Sequence, residues 1–128
     1  MLEKTCDIDN FEHNKKYLNR YKKTLQKIER LEKRLEDIEN RVEIDTKVDN
    51  DIVLKETIYR IERLKKHSQE IRIEIYNEID KLEDFKEVKI LESFFIFCKD
   101  FETIAEEQCY SVRHVIRTYS RAIRRLDL

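Results

Sequence analysis

A chain of 128 residues suffices for one domain, or for one small domain carrying an extended element. Charged side chains make up 43% of it and glycine and proline are both absent, so the inexpensive type II and primed turns that close β-hairpins are missing, which argues against an all-β fold. The net charge of −1 hides an uneven distribution: residues 1–82 carry 19 acidic and 19 basic side chains, 83–100 carry five and three, and 110–128 carry five arginines against Asp127 alone.

Glu, Lys, Leu, Ile and Arg dominate, the composition of long helices and coiled coils, and an all-α fold is expected. The first helix is placed from Asn10 or Phe11 to about Val42. Its apolar ladder (Leu18, Tyr21, Leu25, Ile28, Leu31, Leu35, Ile38, Val42) keeps heptad spacing with one stammer at Ile28–Leu31. At 1.5 Å per residue such a helix is about 48 Å long, too long for a small globule to cover.

Residues 43–51 break the pattern, with Asp49, Asn50 and Asp51 as N-cap candidates for the next helix. A second ladder follows: Leu54, Ile58, Ile61, Leu64, Ser68, Ile71, Ile75, Ile79, Leu82. Two long striped helices across a short break are expected to fold back as an antiparallel hairpin, residues 1–82, whose leftover apolar edge would recruit a second chain. The isoleucines of Ile71–Ile79 also alternate as in a strand, but length and the Glu/Lys-rich flanks favour helix. Ile73 falls off the main stripe and is read as part of a second contact surface.

The composition then changes. Residues 86–101, with Phe94, Phe95 and Phe97 around Ile96 and Cys98, belong to a compact core. A C-terminal module over 83–128 is expected to start with a helix from Glu83 to Cys98, turning Val88, Leu91, Phe94, Phe95 and Cys98 inward. Asp100 caps a short helix from Phe101 or Glu102, with Thr103 near its N-terminus and Ile104 and Ala105 packed inward. Ser111 is a natural N-cap for the last helix, in which Val115, Tyr119, Ala122, Ile123 and Leu126 form the buried side. Opposite them stand Arg113, His114, Arg117 and Arg121. A short helix, a tight break and a longer helix with a basic outer face is the arrangement that lays a recognition helix in the major groove of DNA. Arginine is suited to that place because its planar fork pairs with guanine O6/N7 and with phosphate oxygens.

The stretch IAEEQCYSVRHVIRTYSRAIRRL resembles the helix-turn-helix of sigma-factor region 4 in the variant found in small phage regulators. YLNRYKKTLQKIERLEKRLEDIENR is similar to the N-terminal helix of the ArpU-like phage transcription regulators, proteins of Gram-positive phages and prophages linked to late-gene control. The likeness covers most of the chain in layout and is specific over residues 101–126. It implies that Ser111 is the cap, that Val115, Ala122 and Leu126 are core, and that Arg113, His114 and Arg117 read bases. Arg121 and Arg124 would then meet phosphates, and Thr103 and Ser111 join the DNA-contacting set. The departure is at the turn, where Gln108-Cys109-Tyr110-Ser111 stands for the usual Leu-Gly-Tyr-Ser. A residue with a Cβ at positive φ loses about 1–2 kcal/mol there.

Nothing supports an enzyme. There is no glycine for a phosphate loop, no HExxH, and the carboxylates sit at helix-face spacing with basic neighbours. His13 and His67 read as surface residues. Cys6, Cys98 and Cys109 are odd in number and lack a CxxC pair; they read as reduced packing thiols, so no metal and no cofactor is expected. No stretch approaches the ~18 apolar residues of a membrane span, and the N-terminal MLEKTCDIDNFEHNKK lacks the apolar core of a secretory signal. The expectation is therefore a cytoplasmic transcription regulator in a bacterial host, binding double-stranded DNA through residues 112–126, as a homodimer. The alternatives are a sigma-like factor tethered to RNA polymerase, and a structural coiled-coil or small-terminase-like assembly protein.

Overall fold

A computed structural model describes residues 2–42 and 49–128, with side chains described over 9–40 and 51–128. Every regular element among the described residues is helical: α1 (Leu2–Leu18), α2 (Arg20–Val42), α3 (Asp49–Ile79), α4 (Phe85–Leu91), a π-helical turn (Glu92–Ile96), α5 (Phe101–Gln108) and α6 (Val112–Arg125). The all-α expectation holds, including helix rather than strand through Ile71–Ile79. The first helix begins at Leu2, earlier than the apolar ladder indicated. Its only interruption before Val42 is Asn19, whose N–H still bonds the carbonyl of Lys15 at 3.0 Å. α3 starts at Asp49, so Asp49, Asn50 and Asp51 lie inside its first turn; the position ahead of it falls outside the described residues, as do the side chains of Cys6, Val42, Asp49 and Asn50. No described helix is long and apolar enough to cross a membrane.

The contacts divide the chain into two compact units, Lys23–Glu70 on the one hand and Met1–Lys22 with Ile71–Leu128 on the other. The division is thus not the single cut at residue 82 expected from the sequence. Lys23–Glu70 is an antiparallel helix pair: Glu32 meets Lys65 at 3.3 Å, Leu25 and Ile28 face Ser68 and Gln69, and Leu31 faces Leu64. On α3 the covered row is Leu54, Thr57, Ile61, Leu64, Ser68, an unbroken alternation of three and four. Thr57 therefore takes the rung assigned to Ile58, which is 38% exposed. Burying a threonine is tolerated because its Oγ1 donates to the Val53 carbonyl at 2.8 Å, and Ser68 does the same to Lys65 at 2.7 Å. Ile52, Val53 and Tyr59 remain exposed as well.

In the other unit α6 is the centre, packed against α1, α4 and α5. Val115, Tyr119, Ala122, Ile123 and Leu126 are all buried, as their spacing predicts, and Thr118 joins them. Each fully buried aliphatic side chain contributes about 1.5–3 kcal/mol. An aromatic cluster fills the space between the helices: Phe94 stacks on Phe101 at 4.8 Å and meets Tyr119 edge-on at 5.0 Å, while Phe95 lies 5.7 Å from Tyr119. Burial, and secondarily the charge of Glu12, push the Tyr119 hydroxyl up to about 12, so it stays neutral at any physiological pH.

Two details of the first module helix differ from expectation. α4 starts at Phe85, two residues later than Glu83, because Asp84 caps it by accepting the Lys86 N–H at 2.9 Å. The helical run then widens, with Phe97 N–H reaching back five residues to Glu92 at 3.1 Å, and stops at Ile96. Leu91 and Phe95 are buried and Val88 and Phe94 half-buried, but Cys98 is exposed. It lies beyond the helix at φ 55°, in the reversal that turns the chain toward α5, so the inward phase assigned to it no longer applies.

The contribution of α1 is not legible as a core pattern. Asn14, fully buried, donates from Nδ2 to the carbonyls of Ile123 at 2.8 Å and Leu126 at 2.9 Å. It thereby ties α1 to two carbonyls at the C-terminus of α6, where the helix runs out of its own donors; Ile123 also takes the Leu126 N–H at 3.3 Å. Asn14→Leu keeps the volume but removes the donor to both carbonyls, leaving Ile123 only its long bond from Leu126, and is expected to lower unfolding free energy by about 1–3 kcal/mol in a denaturant titration. An unchanged midpoint would show that the side chain merely fills space.

Candidate nucleic-acid interface

The connection between α5 and α6 is three residues, Cys109–Ser111, held at both ends by hydrogen bonds. At the start of α5, ahead of the connection, Asp100 Oδ1 accepts the Thr103 N–H at 2.7 Å, and the Thr103 hydroxyl followed by this N–H hold the Asp100 carboxyl below its ordinary range. Thr103 is thus engaged at the cap and half-buried. At the exit of α5, Tyr110 N–H reaches the Ala105 carbonyl at 2.9 Å and Cys109 N–H the Glu106 carbonyl at 3.4 Å, the paired bonds of a Schellman motif. That motif needs a left-handed residue, and Cys109 supplies it at φ 58°, ψ 41°. The turn is therefore made without glycine, at a cost in Cβ strain. Cys109→Gly is expected to raise stability by about 0.5–1 kcal/mol, the relief of strain less the greater freedom of glycine in the unfolded chain. A loss of stability in thermal melts would mean that the thiol packs usefully.

Ser111 caps α6, its Oγ accepting the His114 N–H at 3.1 Å, as the sequence indicates. His114 is half-buried with its ring 4.8 Å from that of Tyr110. Arg113 and Arg117 are exposed one turn apart on the outward side, and neither forms an ion pair among the described residues.

The remaining arginines stand differently. Arg121 Nε meets Glu87 Oε1 at 3.0 Å, and Arg125 meets the same oxygen at 2.8 Å. Glu87 is fully buried on α4, so this fork ties the C-terminal half of α6 to α4. Arg121, grouped by sequence with the phosphate contacts, is held in a structural ion pair. Arg124 lies 5.0 Å over the ring of Phe11 on α1. The outer surface of α6 therefore splits in two: a C-terminal half engaged by α1 and α4, and an N-terminal half presenting Arg113 and Arg117.

Four residues were not picked out by the sequence. Glu87 sits one turn before Leu91 on the inward side of α4, and a lone carboxylate there, with two arginines four apart on another helix, was its signal. Asn14 continues the Leu18–Tyr21 ladder backwards by one rung, a polar residue at an apolar position. Val112 and Ile116, four apart on α6, are 39% and 42% exposed beside the two outward arginines.

No protein-family model matches the chain, and no curated protein or solved structure gives a significant match.

Proposed function

We propose that the C-terminal unit works as a helix-turn-helix in a sequence-specific DNA-binding transcription regulator, with α6 as recognition helix. The observation that carries this reading is the pair Arg113 and Arg117, exposed on the N-terminal half of a capped helix whose opposite stripe is packed against its neighbours. Base contacts in such motifs come from the N-terminal part of the second helix, and α6 carries no acidic residue to oppose phosphate. Arg113 and Arg117, flanked by His114, read bases; Ser111 and Thr103 fix the backbone at the two helix starts; Arg124 meets phosphate.

A single module contacts too few base pairs to select a genomic site, and a homodimer doubles the contact. Support for that partner is the exposed pair Ile52 and Tyr59, seven residues apart on one side of α3, with Val53 and Ile58 exposed to either side of it. The phage or prophage late-gene role rests on the resemblance of residues 101–126 and 17–41.

The test is capture of fragmented genomic DNA from the source organism at moderate salt, followed by sequencing. Enrichment of a short motif that Arg117→Ala no longer selects supports the reading. Retention of nothing, or of all sequences equally, would move the assignment to a polymerase-dependent factor or a structural coiled-coil protein.

A further inference from the structure

The exposed surface at the N-terminal end of α6 is not uniformly basic, because the buried ladder Tyr119, Ile123, Leu126 continues there as the exposed Ile116 and Val112. The helix's aliphatic residues Val115, Ala122, Ile123 and Leu126 are 5% exposed or less, whereas Val112 and Ile116 are 39% and 42% exposed. Four residues apart on one helix, these two form a short apolar row about 5–6 Å between Cβ atoms. Arg113 and Arg117 form the adjacent row, displaced by one residue. Neither apolar side chain belongs to the core, and neither lies on the sides that α1 and α4 engage through Arg124, Arg121 and Arg125.

We propose that Ile116, with Val112 one turn before it, is a specificity-determining contact to the C5-methyl group of thymine in the major groove. The inference rests on the DNA-binding reading and sharpens it. Among the four base-pair orientations, only those containing thymine present an apolar group in that groove, and the guanine O6/N7 edge is the partner of arginine. Interleaved arginine and aliphatic rows therefore fit a site in which thymines neighbour guanines. The charge beside the row decides the occupant: Arg113 and Arg117, exposed and without ion pairs among the described residues, on a helix that carries no carboxylate, suit the phosphate-lined walls of duplex DNA.

The test uses the duplex that the full chain enriches, with each thymine replaced in turn by uracil, which removes the methyl and keeps the pairing edges. At one or two positions uracil is expected to weaken wild-type binding about three- to fivefold, the effect of one methyl left unburied. In Ile116→Ala that difference should vanish, while thymine and uracil duplexes bind equally. Both alanine variants alter exposed positions, and matching thermal melts establish that they fold. Uracil tolerated at every position by the wild-type protein overturns the inference and assigns the apolar row to a protein partner. Uracil sensitivity that persists in both Ile116→Ala and Val112→Ala overturns it too. Failure of the wild-type chain to bind any duplex would instead remove the DNA-binding reading on which it stands.

Discussion

Replacing Arg121 and Arg125 together by alanine is expected to lower the unfolding free energy by about 3 kcal/mol or more, because a fully buried carboxylate loses both partners. The lower end of the usual 3–5 kcal/mol applies, since the arginine side chains are 46% and 56% exposed and water enters where they leave. Removing the acid is a smaller perturbation. Glu87→Gln leaves two guanidinium groups that rehydrate where they stand, and a loss of about 1–2 kcal/mol is expected. The asymmetry is the diagnostic. Combining Glu87→Leu with both alanine changes should recover much of the lost stability, since no charge is then left inside. Urea titrations followed by circular dichroism measure all three. If the two-arginine variant and Glu87→Gln fall equally, and the combined variant falls further still, the ion pair does not hold α6 as argued.

The second large effect is on binding. Arg113→Ala with Arg117→Ala should leave the urea midpoint within about 0.5 kcal/mol of wild type, because both side chains are exposed and without ion pairs among the described residues. If each reads a base through a bidentate contact worth about 1–3 kcal/mol, affinity for the selected duplex should fall at least thirtyfold. Unselected DNA should be affected less, narrowing the gap between specific and non-specific binding. Equal affinity of the double variant and the wild type for the selected duplex would sink the assignment. The two experiments belong together. Arg121 substitutions lower binding through loss of fold, so only Arg113 and Arg117 test the interface cleanly.

The separation between these arginine pairs was not legible in the sequence. Arg113, Arg117, Arg121 and Arg124 recur at spacings of four, four and three, which places all of them on the outer half of α6. Which of them meets solvent depends on what stands opposite. Glu87 is 34 residues away on α4, and Phe11 lies on α1, more than a hundred residues away. The same limit explains why the two compact units do not meet at residue 82. Residues 18–42 carry a nearly continuous ladder, but the ladder does not say which rungs face α3 and which reach α6.

Local rules succeeded where the chemistry is local. The caps at Asp100 and Ser111, the left-handed residue between α5 and α6, and the buried stripe from Val115 to Leu126 are satisfied by atoms within a few residues of one another. Cys98 shows where this breaks down, since its inward phase assumed a regular helix that the π-helical turn and the reversal at φ 55° end early.

By itself, then, the sequence determined the helical fold, the last two helices with their caps, and the burial stripe of α6, because periodicity and capping act over a few residues. Only the tertiary structure decided that α1 closes the C-terminal end of α6 through Asn14, and that Glu87 engages two arginines and leaves two others outward. Those outcomes depend on groups brought together across many residues, where the free energy of burying a polar side chain is set by the partner it finds and not by its neighbours in sequence.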